Sequence, residues 1–407
     1  MYSVTDINAF IDELFNFKTL FLVTCFDTEE AFKALTSFEA LEAIQEIFVH
    51  YTKNSTQLCD AYPLINEGNK IIFNLLYSVN SKSLSQETLS SIDLMVSTCR
   101  DMIIQKPQNV DSYMEMLKHV INFLTLVPNN SHRKIICDKS HDDLAKEDYR
   151  SKSVMRAIFR ILKFFKHQHQ RFFVEDENHT SSSVDENLHP VLSYLMSACK
   201  SCRPIRKYCR KKILPPLKGE VKHLPETGHT LRNRLCQLMT ANHGADNVSA
   251  TAAGLIYLLC KGNVDRAIKY TGFGNFAGYL SNAGLLGGKK EDEEERYSSG
   301  SSDSETEDYR RLQSGINPVT GRWEPDFMKK QMEYLSGLSE EQKEYEVMQL
   351  VEKIDRLQRE GFIKPATVGE DGSVKPVEHV LELLQHVPGD LRDKCHRPSP
   401  DKDEDLG

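Results

Sequence analysis

One pattern recurs through about the first 280 residues, with apolar side chains at i, i+3, i+4 and i+7 and short polar breaks between stretches. INAFIDELFNFKTLFLVTCF, FEALEAIQEIFVHY, KIIFNLLYSV, TLSSIDLMVSTCRDMII and VDSYMEMLKHVINFLTLV carry it. SKSVMRAIFRILKFFKH, NLHPVLSYLMSACKSC, RPIRKYCRKKIL, TLRNRLCQLMT and VSATAAGLIYLLC continue it. The spacing gives each stretch one apolar helical face, and convincing alternating strand runs are lacking. Asp27 with Glu30, and Asn109 before Val-Asp, read as helix starts. Short helices in such a long series predict an all-α, armadillo/HEAT-like right-handed helical solenoid over residues 1–287. No strict repeat motif accompanies the pattern.

The remainder has a different character. Residues 288–407 hold 18 Lys and Arg against 29 Asp and Glu, whereas residues 1–287 hold 33 against 30. An acidic tail on a mildly basic body points to fold-back or to basic partners. KKEDEEERYSSGSSDSETEDY contains no aliphatic residue and cannot bury enough surface to offset its ordering entropy. Residues 288–338 are therefore expected to be a disordered acidic linker. Ser339-Glu-Glu-Gln342 forms a capping box, opening an amphipathic helix whose stripe is Val347, Leu350, Val351, Ile354 and Leu357. Residues 339–387 read as a helical docking segment, and 388–407 as a disordered tail. The acidic opening residues Asp6, Asp12 and Glu13 do not suit a signal peptide, and no run suits a membrane span. The expectation is a cytoplasmic protein with reduced thiols and no stable membrane insertion, the cell cortex being a second location.

YTGFGNFAGYL, residues 270–280, raises the question of a nucleotide loop. Its spacing is G-x-G-x-x-x-G, one residue longer than a dinucleotide fingerprint, and helix-type sequence precedes and follows it. No Walker lysine or acidic ribose ligand follows. The glycines read instead as a tight helix–helix turn, with Phe273, Phe276 and Tyr279 packing beneath it.

This stretch, within NVDRAIKYTGFGNFAGYLSNAGLL, is followed by the acidic serine cluster and then by INPVTGRWE. With ILPPLKGEV, TLRNRLCQLMT and EEQKEYEVMQLVEKIDRLQREGFIKP, the series over roughly residues 190–370 resembles the synembryn family of Gα exchange factors and chaperones. The resemblance implies a solenoid that binds nucleotide-free or GDP-bound Gα, promotes GDP release and assists folding of new Gα. It further implies that the Gα C-terminal helix lies in the concave trough. FNFKTLFLVTCFD is similar to a helix well inside the family's array, which implies that the first repeats are missing here. A generic armadillo adaptor without exchange activity is the alternative.

Several residue clusters are candidates for function. Arg203, Arg206, Lys207 and Arg210 share one helical face. That face could be merely solvated or could receive phosphates, while nucleic acid is not expected because no stacking aromatics interleave. In the family, phosphates on the acidic linker meet such a helix, and Arg203, Arg206 and Lys207 hold matching positions. Ser302 and Ser304 have Glu305 and Glu307 at +3, the spacing an acid-directed protein kinase prefers, and Ser299 and Ser301 follow once those are modified. Lys152, Arg156, Arg160 and Lys163 form a second stripe opposite Met155, Ile158, Phe159 and Leu162, either solvated or a wall for an acidic partner helix. Val347, Leu350 and Ile354 offer an apolar docking face. Cys199-Lys-Ser-Cys202 is a lone C-x-x-C, better explained as core than as a metal site. His167 and His169 read as exposed. No catalytic constellation stands out, so neither enzyme activity nor a cofactor is expected.

Overall fold

The computed structural model describes residues 4–26, 39–53, 60–77, 85–137, 153–175, 180–240, 246–285, 306–359, 366–368 and 374–376. Helices α1 (Val4–Phe26), α2 (Glu39–Lys53), α3 (Tyr62–Tyr77), α4 (Gln86–Ile104), α5 (Val110–Leu126) and α6 (Arg156–Gln170) come first. Then follow α7 (Ser181–Ser201), α8 (Arg203–Ile213), α9 (Leu231–Thr240), α10 (Asp246–Leu259), α11 (Val264–Thr271) and α12 (Phe273–Asn282). They stack in two rows. One row runs α1, α3, α5, α7, α10, each packed on the next, and the other runs α2, α4, α6, α9. Neighbours contact mainly neighbours, so the fold is an all-α helical solenoid.

Local sequence explains where helices begin. Ser85, Asn109, Thr180 and Asn263 each accept a bond from a backbone N–H three residues on, satisfying a donor the first turn leaves unpaired. The expected start at Asn109 is among them; Asp27 and Glu30 lie outside the described residues. Between the rows the apolar stripes merge into one core containing Phe48, Ile72, Met95, Phe123, Ile161, Leu192 and Ile256. Each such side chain contributes about 1.5–3 kcal/mol on burial.

Two side chains of α6 depart from the expected pattern. Phe159 is 40% exposed and shares the basic face, with the Lys163 ammonium 5.1 Å from its ring centroid. His169 is fully buried: Arg234 Nη1 lies 3.0 Å from its Nδ1, and Phe173 stacks on it at 4.5 Å. Its position four residues after buried Phe165 puts it on the core face.

Within the expected linker of 288–338, residues 306–338 are described and carry α13 (Glu307–Gln313) and α14 (Phe327–Gly337), with α15 (Glu340–Arg359) following. The acidic run lacks aliphatics, whereas INPVTGRWE supplies Ile316 and Trp323, which pack half-buried against the core, while Val319 stays exposed. Past α15, β1 (Ala366–Val368) pairs antiparallel with β2 (Val374–Pro376), so 339–387 is not wholly helical.

Candidate functional site: a basic corner beside a docked strap

Residues 306–326 form a strap across the late helices. Thr306 caps α13, accepting from the Tyr309 N–H, and its hydroxyl donates to the Leu217 carbonyl. Tyr309 is buried under Lys269, whose ammonium sits 4.4 Å from its ring centroid. The Trp323 N–H donates to Val221 O at 2.7 Å. Between these anchors the strap folds on itself: Ile316 bridges Trp323, and Asn317 N–H donates to Arg322 O at 2.8 Å. Glu324 accepts from Asn317 and Arg322; these bonds, the Asn317 one foremost, hold its carboxyl below the usual range.

The glycines of 270–280 now have a physical role. The N–H groups of Phe273 and Gly274, at the start of α12, donate to Pro318 O and Val319 O, both at 2.9 Å. These are donors a helix start cannot satisfy internally. A strap's carbonyls therefore occupy the place a phosphate would need. Gly272 has φ 76° and ψ 152°, and a Cβ there would stand 2.8 Å from the Thr320 carbonyl carbon. Gly321, φ 70°, meets it backbone to backbone. Gly274 and Gly278 border a groove of about 550 Å³ lined also by Ser249, Ala253 and Tyr279. Phe276 is buried and Tyr279 half-buried beneath the turn, but Phe273 is 38% exposed.

Beside the strap lies the basic helix. In α8 Arg203 and Lys207 are exposed, while Arg206 and Arg210 are half-buried. Arg206 Nη1 donates to Cys199 O at 2.8 Å, capping the end of α7. A cation in the first turn of α8 opposes that helix's own dipole, but the α7 carbonyls offset this. Arg206→Ala is accordingly expected to lower stability by about 1.5–3 kcal/mol in urea unfolding, whereas exposed Arg203→Ala stays within about 0.5 kcal/mol. Equal effects would remove Arg206's capping role.

The structure adds two cations that helical spacing could not reveal. Lys261 stands at the corner between α10 and α11, where the charges of Arg203, Arg206 and Arg210 on α8 and Arg266 on α11 act on it. Burial lowers the Lys261 pKa, and Arg210, Arg266, Arg203 and Arg206 lower it further. Arg210 and Arg266 also act together on Cys260, whose burial raises its pKa to about 12.

The other candidates are more dispersed. Cys199, Cys202 and Cys209 are buried; the bond to Cys199 and then burial push the Cys209 thiol up. Arg156 and Lys163 are exposed and Arg160 half-buried, whereas Lys152 lies outside the described residues. On α15, Val347 and Leu350 are exposed and Ile354 half-buried. Ser299, Ser301, Ser302 and Ser304 lie outside the described residues.

A family model described as "Guanine nucleotide exchange factor synembryn", Ric8, matches residues 5–373. Chaperone Ric-8 of Drosophila melanogaster is 43% identical over 212 residues, 52% of this chain and 36% of the relative. Chaperone Ric-8A of Xenopus laevis is 35% identical over 315 residues, 77% and 54% respectively. Chaperone Ric-8 of Drosophila pseudoobscura pseudoobscura is 31% identical over 393 residues, 92% and 67%. The chain spans about half the length of the first two relatives or less.

Proposed function

This chain belongs to the synembryn family, and on that premise we propose that it binds heterotrimeric G-protein α subunits, holds them without nucleotide, promotes GDP release and assists folding of new Gα. The observation that carries this is the continuity of the match, through the array, the strap and α15. The family's description supports exchange, and the relatives' names support chaperoning. Exchange breaks no covalent bond, so the activity needs only differential affinity for two forms of Gα. Arg156, Arg160 and Lys163 on α6, and Val347, Leu350 and Ile354 on α15, are the surfaces we assign to partner contact. We place the protein in the cytoplasm; no described helix is long and apolar enough to cross a membrane.

Regulation by an acid-directed kinase belongs to the same reading. Phosphates on Ser302 and Ser304, then Ser299 and Ser301, would be received by Arg203, Arg206, Lys207 and Arg210. The strap's anchor supports this, because Thr306 is tied to Leu217, just beyond the end of α8. Short tethers raise effective concentration.

The test is GDP release from labelled Gα with and without this chain, paired with affinities for empty and GDP-loaded Gα. By linkage, this chain must weaken GDP binding by the same factor that GDP weakens binding of the chain. A preference for the empty form of at least tenfold is expected. Equal affinity for both forms would refute exchange and leave the adaptor reading.

A further inference from the structure

We infer that the start of α9 is a binding site for one free phosphate group, with Arg232 as its anchor. It stands apart from the basic face of α8 and from the surfaces assigned to Gα.

Arg232 is the first observation. It is 5% exposed, yet among the described residues its guanidinium has no hydrogen bond and no ion pair. Its nitrogens still touch solvent, so an anion can reach them. A buried charge is ordinarily paired, because leaving water without a counter-charge is costly. The nearby Arg234, 3% exposed, gives the contrast: its Nε donates to His229 O at 3.4 Å, and its Nη1 lies 3.0 Å from His169 Nδ1. Glu226, the acid nearest to Arg232 in sequence, instead accepts at Oε2 from Asn275, 2.9 Å away.

The helix end is the second observation. Thr230 Oγ1 accepts from the Asn233 N–H at 3.2 Å, and Asn233 Oδ1 accepts from the Thr230 N–H at 3.1 Å. The Arg234 N–H goes to Thr230 O at 3.1 Å. That leaves the N–H groups of Leu231 and Arg232, which have no acceptor among the described residues. Helical side chains tilt toward the N-terminus, so Arg232, the second residue of α9, carries its charge back over these donors. His229 and Thr230 are exposed, and the end therefore opens to water. The first turn holds Arg232 and Arg234 and no acid, against the preference of the helix dipole. An anion at the end answers both the dipole and the buried charge.

Donor geometry identifies the ligand class. A guanidinium offers parallel donors in one plane, whereas N–H groups at a helix start point along the axis. A planar carboxylate fills one set or the other. A tetrahedral phosphate has oxygens for both. Its source is either the free ion or a soluble monoester whose substituent projects past Thr230.

The experiment is urea unfolding of the full, unphosphorylated chain at constant ionic strength, with inorganic phosphate replacing chloride. At about 10 mM phosphate, ten times an expected Kd of about 1 mM, the parent's folded-to-unfolded ratio should rise about tenfold. Arg232→Gln should show no rise. Without phosphate it should be at least as stable as the parent, because an uncompensated buried charge has gone. Arg232→Lys keeps the charge but not the fork, so its rise should be clearly smaller than the parent's. Arg203→Gln with Lys207→Gln, which strips exposed cations from α8, is the control and should respond like the parent. No rise in the parent, or an equal rise in Arg232→Gln or Arg232→Lys, would overturn the site. Loss of the response in the α8 control alone would move the phosphate to α8 and overturn it as well. The same rise with acetate would overturn the phosphate assignment in favour of a carboxylate. Glycerol phosphate separates the two sources: a rise equal to that with phosphate assigns a monoester, and no rise assigns the free ion.

Discussion

Gly272→Val is expected to detach the strap while leaving the early helices intact. At φ 76° and ψ 152° Gly272 occupies a region almost closed to other residues. The nearest obstacles to a Cβ are backbone: Thr320 C at 2.8 Å and Gly321 N at 2.9 Å. Neither can swing away as a side chain would. Relief requires the strap to retreat, which breaks the Phe273-to-Pro318 and Gly274-to-Val319 bonds. Strain of about 1–3 kcal/mol and about 1 kcal/mol per bond together reach roughly 3–5 kcal/mol. In hydrogen exchange, amides of Phe273, Gly274, Asn317, Gly321 and Trp323 should lose protection, with those of α3 and α5 unchanged. Gly278→Ala is the contrast. Its Cβ would meet nothing within 4 Å, and it lies inside α12, so it should be neutral or slightly stabilising. Retained strap protection in Gly272→Val would contradict the backbone-contact account.

Acid should destabilise the array through His132, and His132→Phe should flatten that response. His132 is 1% exposed, its ring centroid 5.6 Å from that of Tyr194. Burial lowers its pKa from 6.5 to about 4. Between those values the unfolded chain takes up a proton that the folded chain refuses. The contribution is therefore present above pH 6.5, is lost progressively as pH falls, and is gone near pH 4. The full span corresponds to about 3 kcal/mol, of which about 2 kcal/mol is lost by pH 5. His119, its pKa also lowered by burial, acts in the same direction. Urea unfolding at pH 7.5 and pH 5 should show a pH difference about 2 kcal/mol smaller in His132→Phe than in the parent. Equal pH differences in parent and variant would exclude His132 as the source.

The solenoid was legible because each helix carries its own apolar stripe and its caps are local. Asn109 could be read as a helix start since its partner, the Ser112 N–H, is three residues away. The strap was not legible in the same way. Its contacts are backbone bonds to carbonyls and amides far off in sequence, which no side-chain pattern encodes. Trp323, the chain's single tryptophan, and the glycine in NPVTG were signs that something there is buried. The basic face of α8 could be drawn on a helical wheel, but that its charges act on Lys261 depends on the packing of α8 on α10. His169 departs from expectation for a simpler reason: polarity alone favours exposure, but four residues after Phe165 the helix turns it to the buried face.

The strap also sets an order of events during synthesis. Val221 and Trp323, which it joins, stand roughly 100 residues apart, about 5–20 s of elongation at typical ribosome speeds. Helices α1 to α12 can pack on their neighbours as they emerge, since their contacts are local. For those seconds the carbonyls of Leu217 and Val221 and the amides of Phe273 and Gly274 have no strap to meet. A nascent chain stalled between residues 286 and 316 would display that whole seam to water and to other proteins.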